Sequence, residues 1–186
     1  MKRTLSVFFI FIIAATVAFF WVKIDGFLTE KNHPLQYGEI VEKCSKEYAV
    51  PKELIYAVIK TESGFDEKAI SSKGAMGLMQ MMPDTFIWLC NKNDNPYTDT
   101  VQLFDPEVSI SYGTQYLSIM YSRFGSWQTA LAAYNAGPTK VEKWLEDSNI
   151  SVDGVLVNIP YEETEKYIKK VMQAQNNYKE LYFTKK

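Results

Sequence analysis

Histidine is nearly missing from this 186-residue sequence, in which His33 stands alone. A histidine-based metal centre and a Ser-His-Asp triad are therefore excluded, and neither metal nor cofactor is expected. There is no excess of basic charge either. Twenty Lys and Arg face 22 Asp and Glu, for a net charge of -2. Nucleic acid is not an expected partner, and tight electrostatic capture of anionic polymers is not expected. No glycine-rich phosphate loop is present. Cysteine is scarce: Cys44 and Cys90 are the two present. A core of this size needs no bridge, so two buried thiols are favoured over a disulfide.

Apolar residues are plentiful, at 47% of the chain with 15% aromatic, which is ample for a packed core. Leu5 to Val22 is almost wholly apolar and follows Lys2 and Arg3. As a helix this run spans about 27 Å, close to the hydrocarbon thickness of a bilayer. Residues 1–22 are accordingly read as an N-terminal signal anchor, a transmembrane helix with the rest of the chain outside the cytoplasm. A cleaved signal peptide is the alternative, with Thr16-Val17-Ala18 as a poor cleavage site. The apolar run continues through Phe19, Phe20, Trp21 and Val22, which favours the anchor. No cysteine directly follows the run, which argues against a lipoprotein. Residues 23–36 read as a polar linker containing Gly26 and His33-Pro34, and residues 37–186 as one domain.

That domain shows helical periodicity and no alternation of strand with helix. Helices are expected over Gly38 to Tyr48, Pro51 to Ser63 and Pro83 to about Cys90. Another is expected after the Asp105-Pro106-Glu107 start, up to Gly125. Further ones run from Ser126 to Gly137, around Val141 to Leu145, and from Tyr161 to Phe183, the last with Ile168, Val171, Met172 and Gln175 along one side. Leu78 to Met82 is too short to assign and could be a strand; Ser148 to Asn158 reads as a loop. Trp88, Trp127 and Trp144 are expected in the core. The fold class is mainly α.

Glu62 is the most informative residue. It continues the apolar stripe of Leu54, Ile55, Val58 and Ile59, so it should point towards the buried face at the end of its helix. A carboxylate there, near Phe65 and several methionines, should resist ionisation. A general acid working near neutral pH needs that property. Periodicity alone also allows an exposed glutamate on a last helical turn, and methionines as core filler.

Four segments settle the comparison in favour of chemistry: Glu62-Ser63, Gly77-Leu78-Met79-Gln80, Ala133-Tyr134-Asn135-Ala136-Gly137, and Ile159-Pro160 followed by Glu163, Thr164 and Tyr167. In this order they resemble the lytic transglycosylases of the soluble-lytic-transglycosylase (SLT) type, relatives of goose-type lysozyme, from about Tyr48 to about Val171. The resemblance implies a lysozyme-like single domain. It implies a lyase that acts on peptidoglycan glycan strands at the β-1,4 bond between N-acetylmuramic acid and N-acetylglucosamine, leaving 1,6-anhydromuramyl ends. By motif position Glu62 is the acid and base. Ser71, Gln80, Met82, Tyr134 and Asn135 map to the substrate groove, with Glu163 and Tyr167 ranked after them. Ser71 is equally readable as a turn hydroxyl, Met82 as packing, Asn135 as a helix end beside Gly137, and Glu163 as a helix-start carboxylate. The implied location is the cell membrane, with the catalytic domain on the wall side. Two other readings share the fold. One is a muramidase-type hydrolase, for which Asp66 and Glu67 are the nearby second carboxylates. The other is a non-catalytic cell-wall-binding module.

Overall fold

The computed structural model describes residues 16–17, 19–20, 29, 31–94 and 99–184. The chain divides into two units, Met1–Pro34 and Leu35–Lys186. Most of the apolar run 5–22 lies outside the described residues; among those described, no helix is long and apolar enough to cross a membrane. In the first unit His33, expected in a solvated linker, is buried, and its Nδ1 lies 2.6 Å from the Thr29 carbonyl.

The second unit is built of helices. They are α1 (Gly38–Tyr48), α2 (Lys52–Glu62), α3 (Pro83–Lys92), α4 (Pro106–Phe124), α5 (Trp127–Ala136), α6 (Pro138–Leu145) and α7 (Glu162–Tyr178), with a 3-10 turn at Thr100–Phe104 and a π turn at Lys179–Phe183. Local chemistry explains their starts. Pro83, Pro106 and Pro138 each open a helix where a missing N–H costs nothing. The Asp105 carboxylate accepts from the Glu107 and Val108 amides at 2.8 and 3.1 Å, capping α4. Ser126 precedes α5 without a side-chain capping bond.

α2 is the central element. The sequence suggests one apolar stripe, but all six residues from Leu54 to Ile59 are buried, the pattern of a helix packed on several sides. Its most extensive partner is α7. Each fully buried aliphatic side chain here contributes about 1.5–3 kcal/mol. The main core joins α1, α2, α4, α5, α6 and α7; a second cluster gathers Met81, Phe86, Leu89, Cys90, Leu103 and Tyr112 under α3. Cys44 and Cys90 are buried free thiols, one in each cluster.

Three expectations need correction. α7 buries Thr164, Tyr167, Ile168, Val171, Ala174 and Tyr178. That stripe leaves Met172 exposed, because a neighbour of Val171 is turned about 100° around the helix. Residues 148–158 hold a small hairpin, β1 (Ser151–Val152) paired with β2 (Val155–Leu156). Asp153 and Gly154 both have positive φ at its tip, the turn that an Asp-Gly pair favours. Trp88 is 47% exposed, whereas Trp144 is buried. α3 turns Phe86, Leu89 and Cys90 inward, and this faces the indole outward.

Between α2 and α3 the chain folds back on itself. Met76 and Met81 exchange backbone hydrogen bonds at 3.0 and 3.1 Å, and Gly77 N–H donates to the Ala69 carbonyl at 3.0 Å. The segment 78–82 is thus a turn held by single bridges rather than a strand. Leu78 and Met79 at its tip are fully buried, so the turn is pinned to the core.

Candidate active site

α2 delivers Glu62 to a cavity of about 220 Å³. The turn 77–80, the loop 71–75, the end of α5 and the start of α7 form the other walls. Glu62, Ser71, Gln80, Met82, Tyr134, Asn135 and Glu163 all line it. Tyr167 lies behind Glu62, buried on α7. Residues from four distant stretches of sequence therefore meet in one place.

Burial raises the Glu62 carboxyl from 4.5 to about 7, and interaction with the Tyr167 hydroxyl opposes this in part. The Tyr167 hydroxyl is sealed from solvent and has no partner at ordinary hydrogen-bond geometry. Tyr134 and Tyr167 are both held well above the usual phenol range, first by burial and then by the charge of Glu62. Both remain protonated beside the carboxylate.

The other side chains are fixed from below. The Tyr134 hydroxyl donates to the Met79 carbonyl at 2.7 Å, so its proton ties α5 to the turn. Gln80 uses its amide in the same way, donating to the Gly77 and Ala69 carbonyls at 2.9 and 3.1 Å. Ser71 Oγ accepts from the Ala75 and Lys73 amides at 2.9 and 3.3 Å and so shapes its loop. Met82 is 43% exposed in the cavity wall rather than packed away. Glu163 is exposed and pairs with Lys73 at 3.0 Å.

The residues from 39 to 153 match the family described as Transglycosylase SLT domain. The chain belongs to this SLT transglycosylase family. It is 36% identical over 154 residues to the soluble lytic murein transglycosylase of Escherichia coli K12, covering 81% of this chain and 24% of that protein. It is 31% identical over 181 residues to the membrane-bound lytic murein transglycosylase C of Yersinia pestis, covering 84% of this chain and 49% of the other. The SLT chain thus spans about a quarter of the E. coli relative. Among solved structures, the 70-kDa soluble lytic transglycosylase of E. coli superposes with a TM-score of 0.76 at 33% identity, over 84% of this chain and 26% of that one. An inactive glutamate-to-glutamine mutant of the Pseudomonas aeruginosa lytic transglycosylase Slt superposes with a TM-score of 0.72 at 33% identity, over 82% of this chain and 25% of that one. The mainly helical, lysozyme-like SLT fold is shared with these neighbours.

Two residues of the SLT site receive no role from the sequence, although Thr164 stands in the fourth motif. Thr164, buried at the start of α7, donates from Oγ1 to Asn135 Oδ1 at 2.8 Å. This fixes the Asn135 amide and leaves its N–H groups as donors. Thr164 shares a helix face with Tyr167 and Ile168, and that i, i+3, i+4 spacing is the signal that identifies it. Lys73 also lines the cavity and spans it to Glu163; nothing in the local sequence marks it. Ser63, beside Glu62, sets the end of α2: its Oγ lies 2.9 Å from the Leu78 carbonyl and 3.1 Å from that of Ile59. The glutamate-serine pair thus joins the acid to the turn opposite.

Proposed function

We propose that the domain cleaves peptidoglycan at the β-1,4 bond between N-acetylmuramic acid and N-acetylglucosamine, with Glu62 as general acid and then base. The observation that carries this reading is the placement of Glu62 in a small cavity that shifts its carboxyl to about 7. Protonated Glu62 gives its proton to the glycosidic oxygen as the C1–O bond breaks. The acetamido group of the muramyl sugar supports the oxocarbenium-like centre. The Glu62 carboxylate then takes the proton of the muramyl 6-hydroxyl while that oxygen bonds to C1. The glutamate is regenerated, a 1,6-anhydromuramyl end forms, and no water is consumed. Ser71, the Asn135 amide, Gln80 and Met82 hold the sugars. Tyr134 and Tyr167 keep the site dry and neutral around the acid.

The printed names of the relatives support the substrate, since they are lytic murein transglycosylases. The inactive glutamate-to-glutamine mutant of the Pseudomonas relative supports one indispensable glutamate. The lining carboxylates favour the lyase over a muramidase, which pairs two of them across the bond. Neither Asp66 nor Glu67 lines the cavity. Asp66 is exposed, with Oδ1 accepting from the Lys68 amide at 2.9 Å. Among the described residues the other lining carboxylate is Glu163, exposed and paired with Lys73. A purely wall-binding module has no use for a shielded acid. Residues 1–22 are proposed as the membrane anchor and 23–36 as its linker, on the strength of the apolar run and the membrane-bound relative. The anchor keeps the domain on wall close to the membrane.

The test is loss of purified peptidoglycan as a function of pH. The first step needs protonated Glu62, so kcat/KM falls as pH rises through about 7 and then drops about tenfold per pH unit. A rate that stays flat to pH 9 would remove Glu62 as the acid. Intact peptidoglycan at every pH would remove the function.

A further inference from the structure

Lys73 and Glu163 take no part in the acid chemistry, yet both line the Glu62 cavity and hold each other across it. Lys73 Nζ lies 3.0 Å from Glu163 Oε1 and 3.2 Å from Oε2. The pair joins the loop 71–75 to the first turn of α7. The backbone under Lys73 is fixed: the Ser71 amide donates to the Ala75 carbonyl and the Gly74 amide to the Ser71 carbonyl, both at 2.9 Å. The Lys73 amide donates to Ser71 Oγ at 3.3 Å. The other end is fixed by Thr164, buried next to Glu163 and bonded to Asn135. Both charged side chains are nonetheless 72% exposed. The ends are held, while the pair between them is weak and easily exchanged.

The donors in the cavity wall differ in what they have left to give. The Gln80 amide and the Tyr134 hydroxyl spend their protons on backbone carbonyls. The Ser71 hydroxyl and the Asn135 amide use their oxygens as acceptors and keep protons to donate, but both are neutral. They suit the acetamido and hydroxyl groups that N-acetylglucosamine and N-acetylmuramic acid have in common. The two sugars differ at O3, where the muramyl sugar alone carries a lactyl group ending in a carboxyl. An ionised carboxylate is met best by a charged donor. Among the described residues, Lys73 is the cation of the cavity wall. Its ammonium has three N–H donors and Glu163 occupies at most two, so one remains for a substrate group. Without Lys73, Glu163 would face an anionic strand with its charge uncompensated.

We propose that Lys73 is a specificity-determining residue: it meets a carboxylate borne by the muramyl sugar, taking it in place of or alongside Glu163, and so sets which of the two alternating sugars lies beside Glu62. This rests on the peptidoglycan reading of the Glu62 cavity and deepens it. The carboxylate has two sources. In a strand without peptides it is that of the lactyl group. In a peptide-bearing strand the lactyl carboxyl is an amide, and the carboxylates are those of the peptide. Glu163 is the counter-charge that keeps Lys73 at the cavity in the free protein and competes with the substrate for it.

The experiment is calorimetric binding at low ionic strength to the full chain carrying Glu62→Gln, which keeps the cavity without its acid. The ligands are tetrasaccharides. One alternates N-acetylglucosamine and N-acetylmuramic acid with free lactyl carboxylates; the second has those carboxylates capped as methylamides; the third bears peptides; the fourth is N-acetylglucosamine alone. Adding Lys73→Met should weaken a carboxylate-bearing strand about fivefold, the upper range for an exposed ion pair, and leave the capped strand and the N-acetylglucosamine oligomer unchanged. A loss in the free-lactyl strand assigns the lactyl carboxylate, and a loss in the peptide-bearing strand alone assigns the peptide. Lys73→Arg should restore binding, and added salt should erase the preference. Glu163→Gln should act in the opposite direction and tighten the same strand, because it removes the competitor. The proposal is overturned if Lys73→Met weakens all four ligands alike, or none of them. It is also overturned if Lys73→Met and Glu163→Gln weaken binding equally, as loss of a strut between loop and helix would. If no strand binds, the peptidoglycan reading falls too; if strands bind but ignore Lys73, the assignment of Lys73 falls alone.

Discussion

Replacing Glu62 with Gln is expected to reduce peptidoglycan turnover by at least ~10²–10⁴-fold, the usual contribution of a general acid, while the protein remains folded. Glutamine fills the same space beside Tyr134 and Tyr167 but has no proton to give. The same variant should reveal the strain of the native carboxylate. Glu62 is raised from 4.5 to about 7 in the fold, so between those values the folded chain holds a proton that the unfolded chain has released. The native protein therefore has its full stability below pH 4.5 and loses this contribution as pH rises through 7, by about 3 kcal/mol in all. Glu62→Gln removes that slope. Melting curves at pH 5 and pH 8.5 should show the variant gaining on wild type at the higher pH. An active variant, or one that melts earlier at pH 8.5, contradicts the assignment of Glu62 as a buried acid.

Gly77→Ala is expected to cause the largest loss of stability from a single added carbon. Gly77 has φ of +75°, and a Cβ there would stand 1.9 Å from the Leu103 carbonyl oxygen and 2.9 Å from Ser109 Oγ. The first of these is backbone and cannot swing aside. Overpacking costs about 1–3 kcal/mol and the left-handed backbone about 1–2 more, so the melting temperature should fall by roughly 5–15 °C. Gly125 provides the control: its φ is +69° but nothing lies within 4 Å of its added Cβ. Gly125→Ala should show the backbone cost alone. Activity should suffer beyond the stability loss in Gly77→Ala, because the turn it anchors carries Met79, Gln80 and Met82. Equal melting of the two variants would show that the turn yields easily.

Most helices are legible from proline starts, the Asp105 cap and apolar spacing, because those are local signals. The motifs and the residues beside them bring seven cavity-lining residues into one list, since each sits on its own short segment. How the segments meet is not legible. Tyr134 and Gln80 look like free polar side chains in the sequence, yet both spend hydrogen bonds on the backbone of the 77–80 turn. The turn itself depends on residues scattered from Ala69 to Ser109. Thr164 is masked by its more reactive neighbours Glu163 and Tyr167. The hairpin at 151–156 carries an Asp-Gly signal between valines, but two-residue strands are too short for alternation to register. The expectation for Trp88 fails because it rests on the usual burial of large aromatics, whereas its helix turns Phe86, Leu89 and Cys90 inward instead.

The central claim is that Glu62 works alone and directs the muramyl 6-hydroxyl, rather than water, to the anomeric carbon. The most direct measurement is mass spectrometry of the fragments released from purified peptidoglycan by the wild-type protein. Muropeptides one water lighter than their hydrolysed counterparts, ending in 1,6-anhydromuramic acid, are expected. Fragments carrying only reducing muramyl ends would contradict the claim and assign the cavity to a hydrolase.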